Sequence, residues 1–327
     1  MKTRCSVTVL SAAAFTVLLA GGCASGTKAP DTAGLEGAGD GRRAVIVVTN
    51  VTDVPGTETP TGYWLSEVSH PWQVFTEAGY EVVIASPDGG RVEYDPRSNT
   101  DDDINGEFMD TQAFASMMDT PEIEALSPSD FEIVLFAGGH GTMWDFPAAF
   151  DAKDFMLDAY RSGAVVGAVC HGPAIFLNMA KPDDTEAFFV DGRRLTAFTD
   201  EEEATTPYAD TVPFMLEDQL RYGGAEFTES APGTSHVVTD GRLVTGQNPA
   251  SATATAVAMV RAAMANRPQM NDQMNGQMSD SQMDGQMDNQ QTAAAGDTSG
   301  AIRITGGNAG AGDRSTEPAP QPAPTPA

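Results

Sequence analysis

Short β-branched runs alternating with amphipathic stretches constrain this chain more than any other feature. "RAVIVVTN" (Arg43 to Asn50), "YEVVIASP" (Tyr80 to Pro87), "FEIVLFAGG" (Phe131 to Gly139) and "AVVGAVC" (Ala164 to Cys170) each end in a polar or glycine-bearing turn or at a cysteine. Runs that are apolar on both faces and bounded by turn residues are the pattern of buried strands in a mostly parallel sheet. Helical periodicity lies between them over Leu65 to Ala78 and Ala152 to Arg161, and later over Pro213 to Tyr222. "SHVVTDGRLVTGQ" predicts a hairpin turning on Asp240-Gly241, followed by an alanine-rich helix over Ala250 to Ala265. The expected fold is therefore α/β, an open doubly wound sheet whose sites lie beyond the carboxyl ends of its strands.

The ends of the chain carry a different pattern. Basic residues Lys2 and Arg4 precede an apolar stretch from Val7 to Ala20, and "LLAGGC" closes it at Cys23, the layout of a secretory signal too short to span a bilayer comfortably. Ala20, Gly21 and Gly22 before Cys23 resemble the bacterial lipobox. Residues 1–22 are expected as a lipoprotein signal peptide, Cys23 as the site of lipid attachment and 23–42 as a flexible tether. The expected location is the cell envelope, membrane-anchored outside the cytoplasm. At the other end, residues 267–327 combine Gln-Met repeats with a closing proline-rich stretch, a composition that supplies no core, and are expected as a disordered tail. The ordered domain is placed at 43–266.

Three cysteines are present, and processing would remove Cys5 and lipidate Cys23, leaving Cys170 as a lone thiol with no disulfide partner. The stretch "SGAVVGAVCHGPAIFLNMA" runs a strand into Cys170-His171-Gly172 and on into a helical pattern. That is a strand-to-helix nucleophile elbow. A thiol there faces unpaired N–H groups and the positive end of a helix dipole, which favours the thiolate. A thiol nucleophile also needs a proton acceptor, a group to orient it and donors for an oxyanion. His171 adjoins Cys170, Gly138-Gly139-His140-Gly141 ends another strand, and carboxylates stand at Glu67 and Glu201-Glu202-Glu203. His70 and His236 lack metal-ligand spacing and are read as structural or solvated, so no metal or other cofactor is expected. A net charge of −28, from 46 acidic against 18 basic side chains, argues against nucleic acid as a partner.

Five stretches in order, "TGYWLSEVSHPWQVFTEAGYEVVIASPDGG", "AGGHGTMWDF", "GAVCHGPA", "TAFTDEEE" and "DGRLVTGQNPAS", resemble the heat-shock-protein-31-type branch of the ThiJ/PfpI superfamily. The resemblance spans about Arg43 to Ala265. It implies a flavodoxin-like α/β sandwich related to class I glutamine amidotransferases. It also implies a Cys-His-acid constellation in which Cys170 matches the nucleophile, His171 its neighbour, and Glu203 or Glu202 the acid. Glu67 matches the carboxyl group beside the thiol, and Gly138 and Gly139, with the N–H of His171, match the oxyanion and substrate-binding positions. The implied activity is that of a glutathione-independent glyoxalase, a lyase of the D-lactate dehydratase type that turns small dicarbonyls such as methylglyoxal into 2-hydroxy acids in stress detoxification. The same superfamily includes amidase or peptidase-like hydrolases and chaperone-like redox sensors. It also leaves room for a homodimer.

Overall fold

A computed structural model describes residues 30–181 and 184–267. The elements in chain order are β1 (Arg43–Val47), α1 (Ser66–Glu77), β2 (Glu81–Ala85), α2 (Asp103–Met109), α3 (Gln112–Ser116), β3 (Phe131–Phe136), α4 (Thr142–Asp145), α5 (Phe150–Arg161) and β4 (Val165–Val169). They continue with β5 (Ala180–Lys181), β6 (Asp184–Phe188), β7 (Arg194–Leu195), α6 (Asp200–Glu203), α7 (Leu216–Tyr222), β8 (Glu226–Phe227), β9 (Val237–Asp240) and β10 (Leu243–Gly246). A last helix, α8, covers 252–267.

The central sheet has six strands in the order β2-β1-β3-β4-β10-β9. Every pairing is parallel except β10 with β9, the hairpin that turns on Asp240 and Gly241, where Gly241 takes a φ of 60°. Alternation along the strands builds two cores. Val45 and Val47 of β1 join Val134, Phe136, Val166 and Ala168 beneath α5 on one face. Ala44 and Ile46 join Ile133, Leu135, Val165 and Val244 beneath α1 and α8 on the other. The fold is thus the expected flavodoxin-like α/β sandwich, and both sheet faces are covered because each strand is apolar in both directions.

Three local expectations change. After Cys170 the chain forms a 3₁₀ turn of five residues, Gly172–Phe176, rather than an α-helix. Pro173 at its start offers no N–H, and Leu177 already returns to extended backbone, so only short-range bonds close the turn. Residues 30–42, expected within a flexible tether, instead pack on the domain: Leu35 and Ala38 are buried, and the Gly39 and Gly41 N–H groups donate to Ala78 and Gly79. The helix α8 also runs through Arg267, one residue past the expected boundary. The signal pattern, Cys23 and residues 268–327 lie outside the described residues.

Candidate active site

The carboxyl ends of β3 and β4 meet at one place, and the site is built there. Cys170 follows β4 with φ of 59°, a left-handed conformation that costs a residue bearing a Cβ about 1–2 kcal/mol. Neighbouring chain holds it, since its N–H donates to Gly246 O at 2.9 Å and its carbonyl accepts from the Phe198 N–H at 2.8 Å. Gly172 must be glycine for a steric reason: a Cβ there would stand 2.3 Å from Phe136 O. The elbow therefore presses directly on the end of β3.

Adjacent side chains usually diverge, but the left-handed turn brings Cys170 and His171 together. Sγ lies 3.2 Å from His171 Nδ1, and His171 Nε2 lies 2.8 Å from Glu203 Oε2. A carboxylate can only accept, so Nε2 carries a proton, and in the neutral ring Nδ1 is the acceptor facing the thiol. Glu203 comes from α6, whose Thr199 cap begins the helix with a reciprocal bond to Glu202. The two candidate acids separate here. Glu202 turns away and accepts from the N–H groups of Thr199 and Gly233, the Thr199 hydroxyl, and the side-chain amides of Gln247 and Asn248. Glu203 meets His171.

Glu203 also receives His140 Nε2 at 3.1 Å and the Thr206 hydroxyl at 2.6 Å, both on Oε1. Burial alone would raise its pKa, but the bonds from His140 and His171 win and hold it well below the usual carboxylate range. His140 is pushed down to about 4, by burial first and the neighbouring His171 second, against the pull of Glu203. The two imidazole rings lie 4.2 Å apart. His140 was present in the sequence within the glycine run and was not singled out. A titratable side chain inside a strand-end glycine loop is the signal that could have found it.

Glu67 in α1 is wholly buried, accepts the Gly138 N–H on Oε2 at 2.8 Å, and leaves Oε1 without a partner. Burial pushes it up to about 8, opposed by the Cys170 thiol and the Gly138 N–H, so it is protonated at neutral pH. The Gly138 N–H is therefore spent on Glu67. Gly139, with φ of 106°, is the member of the pair whose N–H takes no acceptor among the described residues. A Cβ on it would fall 2.3 Å from Gly62 O and 2.6 Å from Trp64 N, so only glycine allows the close approach.

The thiol itself departs from expectation. Burial first, and the charge of Glu67 when ionised second, push Cys170 well above an ordinary cysteine, with the His171 N–H working the other way. A five-residue 3₁₀ turn supplies too little dipole to reverse this. Burial thus favours the thiol form, with its acceptor at 3.2 Å. Among the described residues His140, His171 and Glu203 are the group whose donor atoms could converge on a metal ion, all within 4.8 Å of one another. His70 instead bridges Thr253 and Asp102, and His236 meets Thr228, as structural histidines do.

A sequence model of the DJ-1/PfpI family matches residues 60–262. Glyoxalase 3 of Candida albicans is 35% identical over 217 residues, 63% of this chain and 91% of the relative. The glutathione-independent glyoxalase HSP31 of Saccharomyces cerevisiae is 32% identical over 235 residues, 68% of this chain and 98% of the relative. Among solved structures, glyoxalase III from Candida albicans superposes with a TM-score of 0.63 at 30% identity, covering 68% of this chain and 97% of its own. The Rapid Encystment Protein 24 kDa of Francisella tularensis gives 0.65 at 31% identity, covering 68% and 99%.

These comparisons correct the expected location in the cell envelope. The relatives are named as glyoxalases and are matched over 91% and 98% of their length, and the family match starts at residue 60, downstream of the N-terminal pattern. No helix of the described residues is long and apolar enough to cross a membrane.

Proposed function

The chain belongs to the DJ-1/PfpI family, and from that premise we propose that it is a glutathione-independent glyoxalase acting on small dicarbonyls through Cys170. The observation that carries this reading is the line Sγ to His171 Nδ1 at 3.2 Å and His171 Nε2 to Glu203 at 2.8 Å, with the protonated Glu67 beside the sulfur.

Methylglyoxal offers an aldehyde next to a ketone. His171 accepts the thiol proton as sulfur adds to the aldehyde carbon, and the carbonyl oxygen takes up a proton, giving a hemithioacetal. The imidazolium formed is held by Glu203, whose charge survives burial because His140 and His171 both donate to it. Removal of the proton from C1 and delivery of a proton to the ketone oxygen give an enediol. A proton returned to C2, with loss of the proton on the C1 oxygen, makes a thioester of a 2-hydroxy acid. Water then cleaves that thioester, releasing lactate and the thiol. C1 is oxidised and C2 reduced within the same molecule, so the atoms and electrons balance with water as the one co-reactant. Glu67, titrating at about 8, is placed to pass a proton between carbon and oxygen near neutral pH. The N–H groups of Gly139 and His171 are the donors to the oxygen that gains charge.

The test is a substrate panel of methylglyoxal, glyoxal, amides and peptides, without glutathione, on the wild type and Cys170→Ala. The reading expects lactate and glycolate from the wild type, and a fall of about 1000-fold or more in Cys170→Ala. Retained dicarbonyl conversion in Cys170→Ala, or ammonia or peptide release with no hydroxy acid from the wild type, overturns it.

A further inference from the structure

We propose that His140 is a positioning residue for this reaction, and that Arg97 fixes its tautomer so that Glu203 presents one oxygen to His171 with its direction set. The inference rests on the glyoxalase reading for its kinetic consequences, but the clamp itself is a statement about protons that can be read without turnover.

The geometry leaves one arrangement of hydrogens. Glu203 uses Oε2 for His171 and Oε1 for His140 and Thr206, so both imidazoles must donate from Nε2. The Nδ1 of His140 faces Arg97 Nη2 at 3.4 Å, and a guanidinium can only donate, so Nδ1 is bare. Arg97 in turn cannot swing away. Its Nε and Nη2 form a two-point bond with Asp95, at 2.9 and 2.6 Å, and the Asp95 carboxylate is fully buried. The guanidinium lies over the Tyr208 ring at 4.1 Å, and the same ring packs edge-on against His140 at 4.7 Å.

Along Asp95, Arg97, His140, Glu203, His171 and Cys170 each bond therefore has one donor, with Arg97 giving to Asp95 and His140 and both imidazoles giving to Glu203, and the bond between Arg97 and Asp95 anchors the far end. Two N–H donors on a buried carboxylate also make it less basic than one. A single-donor Glu203 would turn toward His171 or Thr206, and it would take a proton more readily. The titratable and charged groups facing this carboxylate are His171 and Cys170 from the elbow, His140 from the glycine loop, Arg97 and Asp95 from the 3₁₀ turn Pro96–Ser98 and its cap, and Tyr208 beyond α6. Glu202 next to it faces the opposite way.

The experiment uses the full chain with methylglyoxal as substrate and compares His140→Leu, His140→Gln, Arg97→Lys and the double variant His140→Leu with Arg97→Lys. His140→Leu is expected to lower kcat by about 100-fold with KM little changed, the loss that a misplaced reacting group brings. His140→Gln, which can still donate to Glu203 and accept from Arg97, should restore most of kcat. Arg97→Lys should cost less than His140→Leu and add nothing in the double variant, since its effect passes through His140. Thermal melting accompanies each variant, and Arg97→Lys keeps a cation beside the buried Asp95.

A separate readout needs no turnover. Nitrogen-15 histidine spectra of the Cys170→Ala protein, assigned with His140→Gln, should show His140 neutral with its proton on Nε2. An Nδ1 proton on His140, an unchanged kcat in His140→Leu, or additive losses in the double variant each overturn the clamp. Absence of dicarbonyl turnover in the wild type, with the Nε2 tautomer present, overturns the functional reading and leaves the clamp standing.

Discussion

Replacing Glu67 by glutamine tests the most unusual electrostatic feature of the site. The side chain is wholly buried and its carboxyl is raised from an ordinary 4.5 to about 8. Below the lower value it is protonated in both the folded and the unfolded chain, and its ionisation costs nothing. As pH rises the unfolded chain ionises first, so the folded state loses stability until the folded group ionises as well. The stability this carboxyl contributes is thus present in acid and is lost as pH climbs through the folded value. The full loss is about 5 kcal/mol, at 1.36 kcal/mol per unit.

Glutamine has nearly the same shape, can accept the Gly138 N–H, and does not titrate. The difference in unfolding free energy between Glu67→Gln and wild type should therefore widen by about 3 kcal/mol in favour of the variant between about pH 5 and about pH 7.5. For an ordered region of this size, that is a gap in melting temperature growing by about 6 to 12 °C. Any offset from altered hydrogen bonding is independent of pH, and Cys170, the thiol coupled to Glu67, is raised by burial and titrates above this range, so the slope carries the information. Paired denaturant and thermal melts across that range measure it. A difference that stays flat refutes the reasoning, because it means that Glu67 folds as an ordinary ionised carboxylate.

Two other outcomes are expected. Cys170→Gly should be more stable than Cys170→Ala by about 1 kcal/mol, because glycine occupies a positive φ without the strain a Cβ brings; equal stabilities, from denaturant melts of the two inactive proteins, would show an unstrained elbow. The pH midpoint for alkylation of wild-type Cys170 should lie above the ~8.5 of a free cysteine, since burial and the Glu67 carboxylate push the thiol up, and Glu67→Gln should lower it; a midpoint below that of a peptide thiol, by mass spectrometry of iodoacetamide adducts, would contradict this account of the buried sulfur.

Local pattern carried the sheet well and the site only in part. The β-branched runs at Arg43, Tyr80, Phe131 and Ala164 became β1 to β4 because short β-branched runs closed by turn residues fit buried strands, and Asp240-Gly241 turned the hairpin because its chemistry is local. The segment after Cys170 looked helical from its apolar content, but the Gly-Pro pair and the close approach of Phe136 O decide its form, and that approach is tertiary. The same is true of the acids. Glu202 and Glu203 are neighbours on one helical turn, about 100° apart in direction, and nothing local says which direction faces His171. Gly138 and Gly139 differ only in where their N–H groups go. The rise of the Cys170 thiol depends on how deeply the elbow is covered, which no stretch of residues near it encodes.

The groups that meet at the sulfur are far apart along the chain: Glu67 and Gly138 are separated by 71 residues, His140 and Glu203 by 63, and His171 and Glu203 by 32. Contacts of such long range close late, after the entropy of large loops has been lost. Until they close, His171 has no carboxylate behind it and Cys170 is an ordinary solvated thiol, so a chain emerging from synthesis carries no catalytic power. Turnover then reports completed folding more stringently than secondary structure does, and in a refolding experiment it is the last signal to return.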